Sequence, residues 1–186
     1  WSGVDLIGAD LREANIEGAN LAWANLVGAT LSGANLKGVS LASATLSGAS
    51  LSHADLSGAN IAGANFLMGN LQGANLTKSN LYETYFIDTN LTNSIGLELC
   101  QFSGPCTIDH RSFLNYAPLP ESFLRGCGLP NHMINVIPSL RGESLKYHSC
   151  FISYSSQDVE FAKRLYSDLQ ANGIRCWFAP EDLKIG

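Results

Sequence analysis

The chain has 186 residues, of which only 15% are charged against a usual figure of roughly 25%, and its net charge is −5. That balance supplies no basic field for nucleic acid or an anionic membrane, and no apolar run approaches the roughly 18 residues that span a bilayer. The start lacks a signal-peptide pattern, so a soluble, cytoplasmic protein is expected, with neither nucleic acid nor membrane among its partners.

The charge is distributed unevenly. Residues 1–93 carry 10 charged side chains, seven acidic and three basic, and no Cys or Pro; residues 94–186 carry 17, with all five Cys and all six Pro. Two architectures are joined. From Val4 the first half reads in fives as VDLIG, ADLRE, ANIEG, ANLAW, ANLVG, and so on to TNLTN at 89–93, which is 18 consecutive repeats. The third position is Leu, Ile or Phe in every repeat and the first is always a small residue or Val. A period of five fits neither a helix of 3.6 nor a flat strand of 2, but it suits a short strand and a bend repeated around a solenoid. The large residue fills the interior and the small one leaves it room. Asn, Asp, Ser or Thr before the central residue, and Gly at the last position of nine repeats, suit tight bends.

This A(N/D)LxG pattern resembles the pentapeptide-repeat family. The resemblance implies a mainly β protein, a right-handed quadrilateral β-helix with four repeats per coil. The residue just after each central one tests the coil length, since it faces outward and positions 20 apart should stack. Its apolar members, Ile7, Ala22, Val27, Ala42, Ala62, Leu67, Tyr82 and Ile87, all fall into two neighbouring columns that only Ser47 interrupts. The other two columns are polar: Arg12, Ser32, Ser52, Gln72 and Thr92, then Glu17, Lys37, Ser57 and Thr77. One solvent should select similar residues on all sides, so the apolar side is expected to dock something. Ile7, Val27, Leu67, Tyr82 and Ile87 are the candidate interface residues, facing either a second copy of the chain or the connector helices. Trp1 also sits in the central phase, so the array is expected to begin before this chain does.

At Ser94 the repeat stops, with Gly96 in the central phase. Residues 94–148 read as a capping connector, with Leu97, Leu99 and Phe102 expected to plug the column end. Short helices are expected over 108–116, 119–126 and 130–138, with Ser112 and Asn131 among the candidate cap residues. His110 and His132 have no acid or Cys at ligand spacing. Cys100, Cys106, Cys127, Cys150 and Cys176 lack paired CxxC spacing, so they read as reduced structural thiols and no metal site is expected.

The last 41 residues change character again. The run ending in CFISY at 150–154 has the content of a buried strand. A helix follows over 158–172 with Phe161, Leu165 and Leu169 on one face beside Ala162, and IRCWF at 174–178 makes a second strand. FISYSSQD, FAKRLYSDLQANG and IRCWFAPEDLKIG, in that order, resemble the opening of a Toll/interleukin-1 receptor (TIR) domain of bacterial type. The resemblance implies an incomplete α/β, flavodoxin-like segment over 149–186, without the later strands or the glutamate that cleaves nicotinamide from NAD in catalytic members. No catalytic residue and no cofactor is therefore expected in this chain, and NAD would be a substrate of the complete domain only. By the same resemblance Tyr154, Ser155, Ser156, Trp177, Phe178, Glu181 and Asp182 would line the nucleotide side of the pocket, beyond the carboxyl ends of the strands. Ser155 equally suits a helix cap, Trp177 a core side chain, and Glu181 and Asp182 a solvated turn.

Three functions follow from the two halves. The first is a signalling or defence protein in which the column organises TIR domains for self-association, with NAD cleavage by the complete domain. The second is a non-catalytic adaptor that recruits other TIR domains. The third, an acidic DNA mimic, needs more charge than the −4 of the first half, since DNA carries one charge per about 1.7 Å.

Overall fold

Every fifth residue from Gly3 to Asn93 has a positive φ, and that recurring angle builds the first half of the structure. The computed structural model describes residues 1–141, 150–152, 158–171 and 176–178. The chain divides into two compact parts, Trp1–Arg141 and Gly142–Gly186. In most repeats the carbonyl of the large inward residue accepts from the amide three positions on, as Leu6 does from Ala9 at 3.1 Å, and the positive-φ residue stands third in that turn. Nine of these positions hold residues other than glycine, Trp23, His53 and Met68 among them, each at a cost of about 1 kcal/mol or more. The Asn or Asp ahead of the inward residue steadies the bend from the other side. Its carboxyl or amide oxygen accepts from the backbone amide two positions on, as Asp5 does from Ile7 and Asn65 does from Leu67.

Parallel bridges join Asp5 to Asn25, Asp10 to Thr30, and onward by twenties to Asn75 and Ile95. Four repeats therefore make one coil, as the columns of outward residues require. From Leu21 to Leu91 every central Leu, Ile or Phe is buried, while Leu6, Leu11 and Ile16 of the first coil are half-buried. Each buried side chain contributes roughly 1.5–3 kcal/mol gross, before chain entropy is subtracted. Where the small inward position turns polar, the hydroxyl finds a main-chain partner. Ser79 donates to the Leu76 carbonyl, Thr84 to that of Ile61 and Thr89 to that of Phe66, at 2.8, 2.9 and 2.8 Å.

The coil outlasts the repeat that specifies it. Short parallel ladders pair β1 (Asn80–Leu81) with β3 (Gln101–Phe102), and β2 (Tyr85–Phe86) with β4 (Thr107–Ile108). Backbone pairing with the coil below continues to Ile108, although the five-residue pattern ends at Ser94. Gly96 makes this possible: it keeps a positive φ of 74°, and a Cβ there would lie 2.7 Å from the Thr77 Cα.

The plug differs in part from the sequence expectation. Leu97, in a single turn of 3-10 helix (Leu97–Leu99), is buried, and Phe102 packs against the core, but Leu99 is 53% exposed. Its place is taken by Phe123, from the second of three helices, α1 (His110–Leu114), α2 (Glu121–Gly126) and α3 (Asn131–Leu140). Phe66 stacks on Phe86 with ring centres 5.7 Å apart, and Phe123 meets both Phe86 and Phe102 edge to face at 5.7 Å. A smaller cluster of Phe113, Leu124, Ile134 and Ile137 holds the helices to one another.

The helix caps also differ. Asp109, not Ser112, caps α1: its Oδ1 accepts from the Ser112 amide at 3.1 Å and the Ser112 hydroxyl at 2.9 Å. Ser112 is instead fully buried and bonds the column: its hydroxyl accepts from the Thr89 amide and shares its one proton between the Phe86 carbonyl and Asp109. Asn131 opens α3 without capping it, and its side chain accepts from Arg125 Nε at 3.0 Å. Burial would raise the Asp109 carboxyl, yet the bonds it accepts from the Asp88 amide, Arg111 and Ser112 hold it down at about 2. A carboxyl depressed in the fold stabilises it above its unfolded pKa, and that contribution disappears as pH falls from about 4 to about 2. Asp109→Asn is expected to cost about 1–2 kcal/mol at neutral pH and to flatten the acid limb of the stability profile, which urea titration over that pH range measures.

In the second part, β5 (Cys150–Ile152) pairs in parallel with β6 (Cys176–Phe178), in register from Cys150 opposite Cys176. Between them lies α4 (Val159–Ala171), so the expected order of strand, helix and strand is present. Ala162 is buried and Leu165 and Leu169 are half-buried, but Phe161 is exposed rather than on the inner face.

Candidate functional site

The two apolar columns lie side by side on the coil stack. Amide-to-carbonyl bonds from Gly8 to Val27, Gly28 to Ser47, Gly48 to Leu67 and Met68 to Ile87 run up one of them, at 2.8–2.9 Å. The other rises through Gly3 to Ala22, Trp23 to Ala42, Ser43 to Ala62 and Gly63 to Tyr82. Within Trp1–Arg141, Ile7 is 59%, Val27 36% and Tyr82 43% exposed, while Leu67 and Ile87 are half-buried. The connector helices close the end of the column instead of covering this side. Tyr82 meets the connector, where its ring packs so closely on Gly104 that a Cβ there would approach within 2.6 Å.

Sequence reasoning missed two members of this side. Trp23 and Met68 follow Ala22 and Leu67 directly, take the left-handed turn position, and are both exposed. The signal was a large apolar residue in the glycine phase, where it gains no burial to offset its backbone cost. No side chain in the two outward columns carries a charge.

The opposite faces are occupied by polar ladders. Ser52 donates to Ser32 at 2.9 Å, Asn35 to both Asn15 and Glu17 at 3.0 and 3.1 Å, and Arg12 pairs with Asp10 at 2.6 Å. A bond between Asn75 and Asp55 repeats the same 20-residue step.

At the capped end, three thiols are free: Cys100 and Cys106 are half-buried and Cys127 is buried. Among the described residues no group of His, Cys, Asp and Glu could hold a metal ion, and no helix is long and apolar enough to cross a membrane. Of the residues that would line a nucleotide pocket, Tyr154, Ser155, Ser156, Glu181 and Asp182 lie outside the described residues. Trp177 and Phe178 are placed in β6, opposite Phe151 and Ile152 of β5.

Family models match the chain in two places. Eight copies of pentapeptide repeats match over residues 2–33, 34–67 and 70–95. The TIR domain matches over residues 150–186. Among solved structures, a pentapeptide repeat protein from the thylakoid lumen of Arabidopsis thaliana is 32% identical with a TM-score of 0.49, over 50% of this chain and 65% of its own length. The pentapeptide repeat protein Rfr23 from the cyanobacterium Cyanothece 51142 is 28% identical, with a TM-score of 0.48 over 57% of this chain and 89% of its own. A pentapeptide repeat protein from Nostoc PCC 7120 is 44% identical, with a TM-score of 0.43 over 43% and 66%. The chain thus spans slightly less than two thirds of the first and third of these structures. Among curated proteins none matches the chain.

Proposed function

This chain is a pentapeptide-repeat protein that continues into the TIR family at residues 150–186, and from that premise we propose that the column is a self-associating scaffold that gathers TIR domains. Pentapeptide repeats and a TIR match in one chain support an interaction or signalling scaffold. Self-association rests on the alignment of eight apolar outward residues in two adjacent columns, with Trp23 and Met68 extending them. The occupant of this face is a second copy of the chain. The connector closes the end of the column, Ile7 and Val27 stay exposed within Trp1–Arg141, and the two outward columns bring no charge of their own into such a contact.

In this reading the column is right-handed and quadrilateral, the protein is cytoplasmic, and the segment after residue 149 belongs to a flavodoxin-like TIR domain. Bringing such domains together is the signal. NAD is the substrate of the complete domain, bound on the side of Tyr154, Ser155, Ser156, Trp177, Phe178, Glu181 and Asp182.

Hydroxyl-radical labelling of the chain at low and high concentration tests the interface. Protection of Ile7, Trp23, Val27 and Met68 at the higher concentration, with Arg12 and Gln72 unchanged, is the expected result. Equal labelling of both sides at every concentration removes self-association through this face.

A further inference from the structure

Cys106 and Cys127 are 21 positions apart in sequence, yet the fold sets their backbones side by side. The Cys106 amide donates to the Cys127 carbonyl at 3.3 Å. A backbone bond of this kind brings two cysteines close to the Cα spacing that a disulfide bridges, roughly 4.4–6.8 Å. Both sides are anchored: Cys106 leads into β4, which is laddered to the coil below, and the Cys127 amide closes α2 on the Phe123 carbonyl at 2.9 Å.

We propose that Cys106 and Cys127 are a peroxide-sensitive dithiol, whose reversible disulfide pins the capping helix α2 to the last coil of the column. Cys106 is half-buried and open to a small oxidant, whereas Cys127 is 3% exposed and reacts only from within. A bond accepted from the Cys127 thiol favours the Cys106 thiolate and holds that group below the usual thiol range; Cys127 is correspondingly pushed up. The third thiol nearby, Cys100, lies against the Leu76 carbonyl at 3.5 Å and is pushed up to about 11 by burial, which leaves it a bystander.

The chemistry balances with a hydroperoxide as the oxidant. The Cys106 thiolate attacks the terminal peroxide oxygen, the O–O bond breaks, and the departing alkoxide takes up a proton as the alcohol, leaving a sulfenic acid on Cys106. The Cys127 sulfur then attacks the Cys106 sulfur; the S–S bond forms as S–O breaks, and hydroxide leaves with the Cys127 proton as water. Two thiols are oxidised by two electrons, and the peroxide is reduced to alcohol and water. Closing this loop restrains the unfolded chain and raises the melting temperature of the column by about 5 °C or more.

The test is brief exposure of the full chain to hydrogen peroxide, alkylation of the remaining thiols, and peptide mapping without reductant. A peptide pair joined through Cys106 and Cys127, released by dithiothreitol and still formed in Cys100→Ser, is the expected result. Cys127→Ser should instead accumulate a Cys106 sulfenic acid that dimedone traps. Full alkylation of Cys106 after peroxide, its oxidation beyond the sulfenic acid without linkage, or its pairing with any other cysteine overturns the proposal in the wild-type chain, whatever the variants do.

Discussion

Phe86→Ala is expected to lower the stability of the column by about 3–5 kcal/mol, read from the shift of a urea unfolding transition followed by far-ultraviolet circular dichroism. Phe86 is fully buried, lies flat on Phe66, and meets the edge of Phe123 from the capping helix. Removing the ring takes away three contributions together: the burial of an aromatic side chain, the stacking within the column, and the contact through which α2 closes it. The walls of the resulting cavity cannot collapse, because every neighbouring strand is tied to the coils beside it by backbone bonds. Leu99→Ala, at an exposed position in the same cap, is the control and should stay within about 0.5 kcal/mol of the wild type. A Phe86→Ala loss below about 1 kcal/mol would mean that the aromatic stack does not form the core.

The second large effect is on association. Val27→Asp with Leu67→Asp sets carboxylates on two coils of one apolar column, with the coil of Ser47 between them, so a face that meets itself would bury four unpaired charges. Two uncompensated carboxylates per copy should weaken the dimer at least about 100-fold, which corresponds to about 2.7 kcal/mol. Leu67 is half-buried, so part of its effect falls on the fold. Val27→Asp alone, at a more exposed site, separates the two. Its melting temperature should stay within a few degrees of the wild type while association is lost.

The column was legible because one chemical requirement recurs at a fixed step. A large inward residue, a small one, a side chain that holds the bend and a residue tolerant of positive φ together leave no other period open. The cap was less so, since it relies on contacts between residues distant in sequence. Ile95, Phe102 and Ile108 continue the coil at steps of 20, 21 and 22 residues from Asn75, Leu81 and Phe86, so the pattern dissolves while the pairing persists. Leu99 and Phe102 look equivalent as apolar residues, and only the arrival of Phe123 decides which of them the core needs. Ser112 suits a cap by its type, but Asp109 accepts more bonds from a position that also reaches Asp88 and Arg111. At the apolar side, the alignment of Ile7 through Ile87 was visible in the sequence. Trp23 and Met68 were hidden, because their phase is normally a glycine's and says nothing of packing. The pairing of Cys106 with Cys127 could not be read from spacing at all, since it depends on how α2 returns to β4.

Sedimentation equilibrium of the full chain beside the Val27→Asp, Leu67→Asp variant tests the scaffold most directly. The expected result is a wild type near twice its 19.9 kDa chain mass at micromolar concentration and a variant near the single-chain value, with the column still folded. A wild type that stays at 19.9 kDa across the concentration range, or a variant that associates as tightly as the wild type, would contradict it.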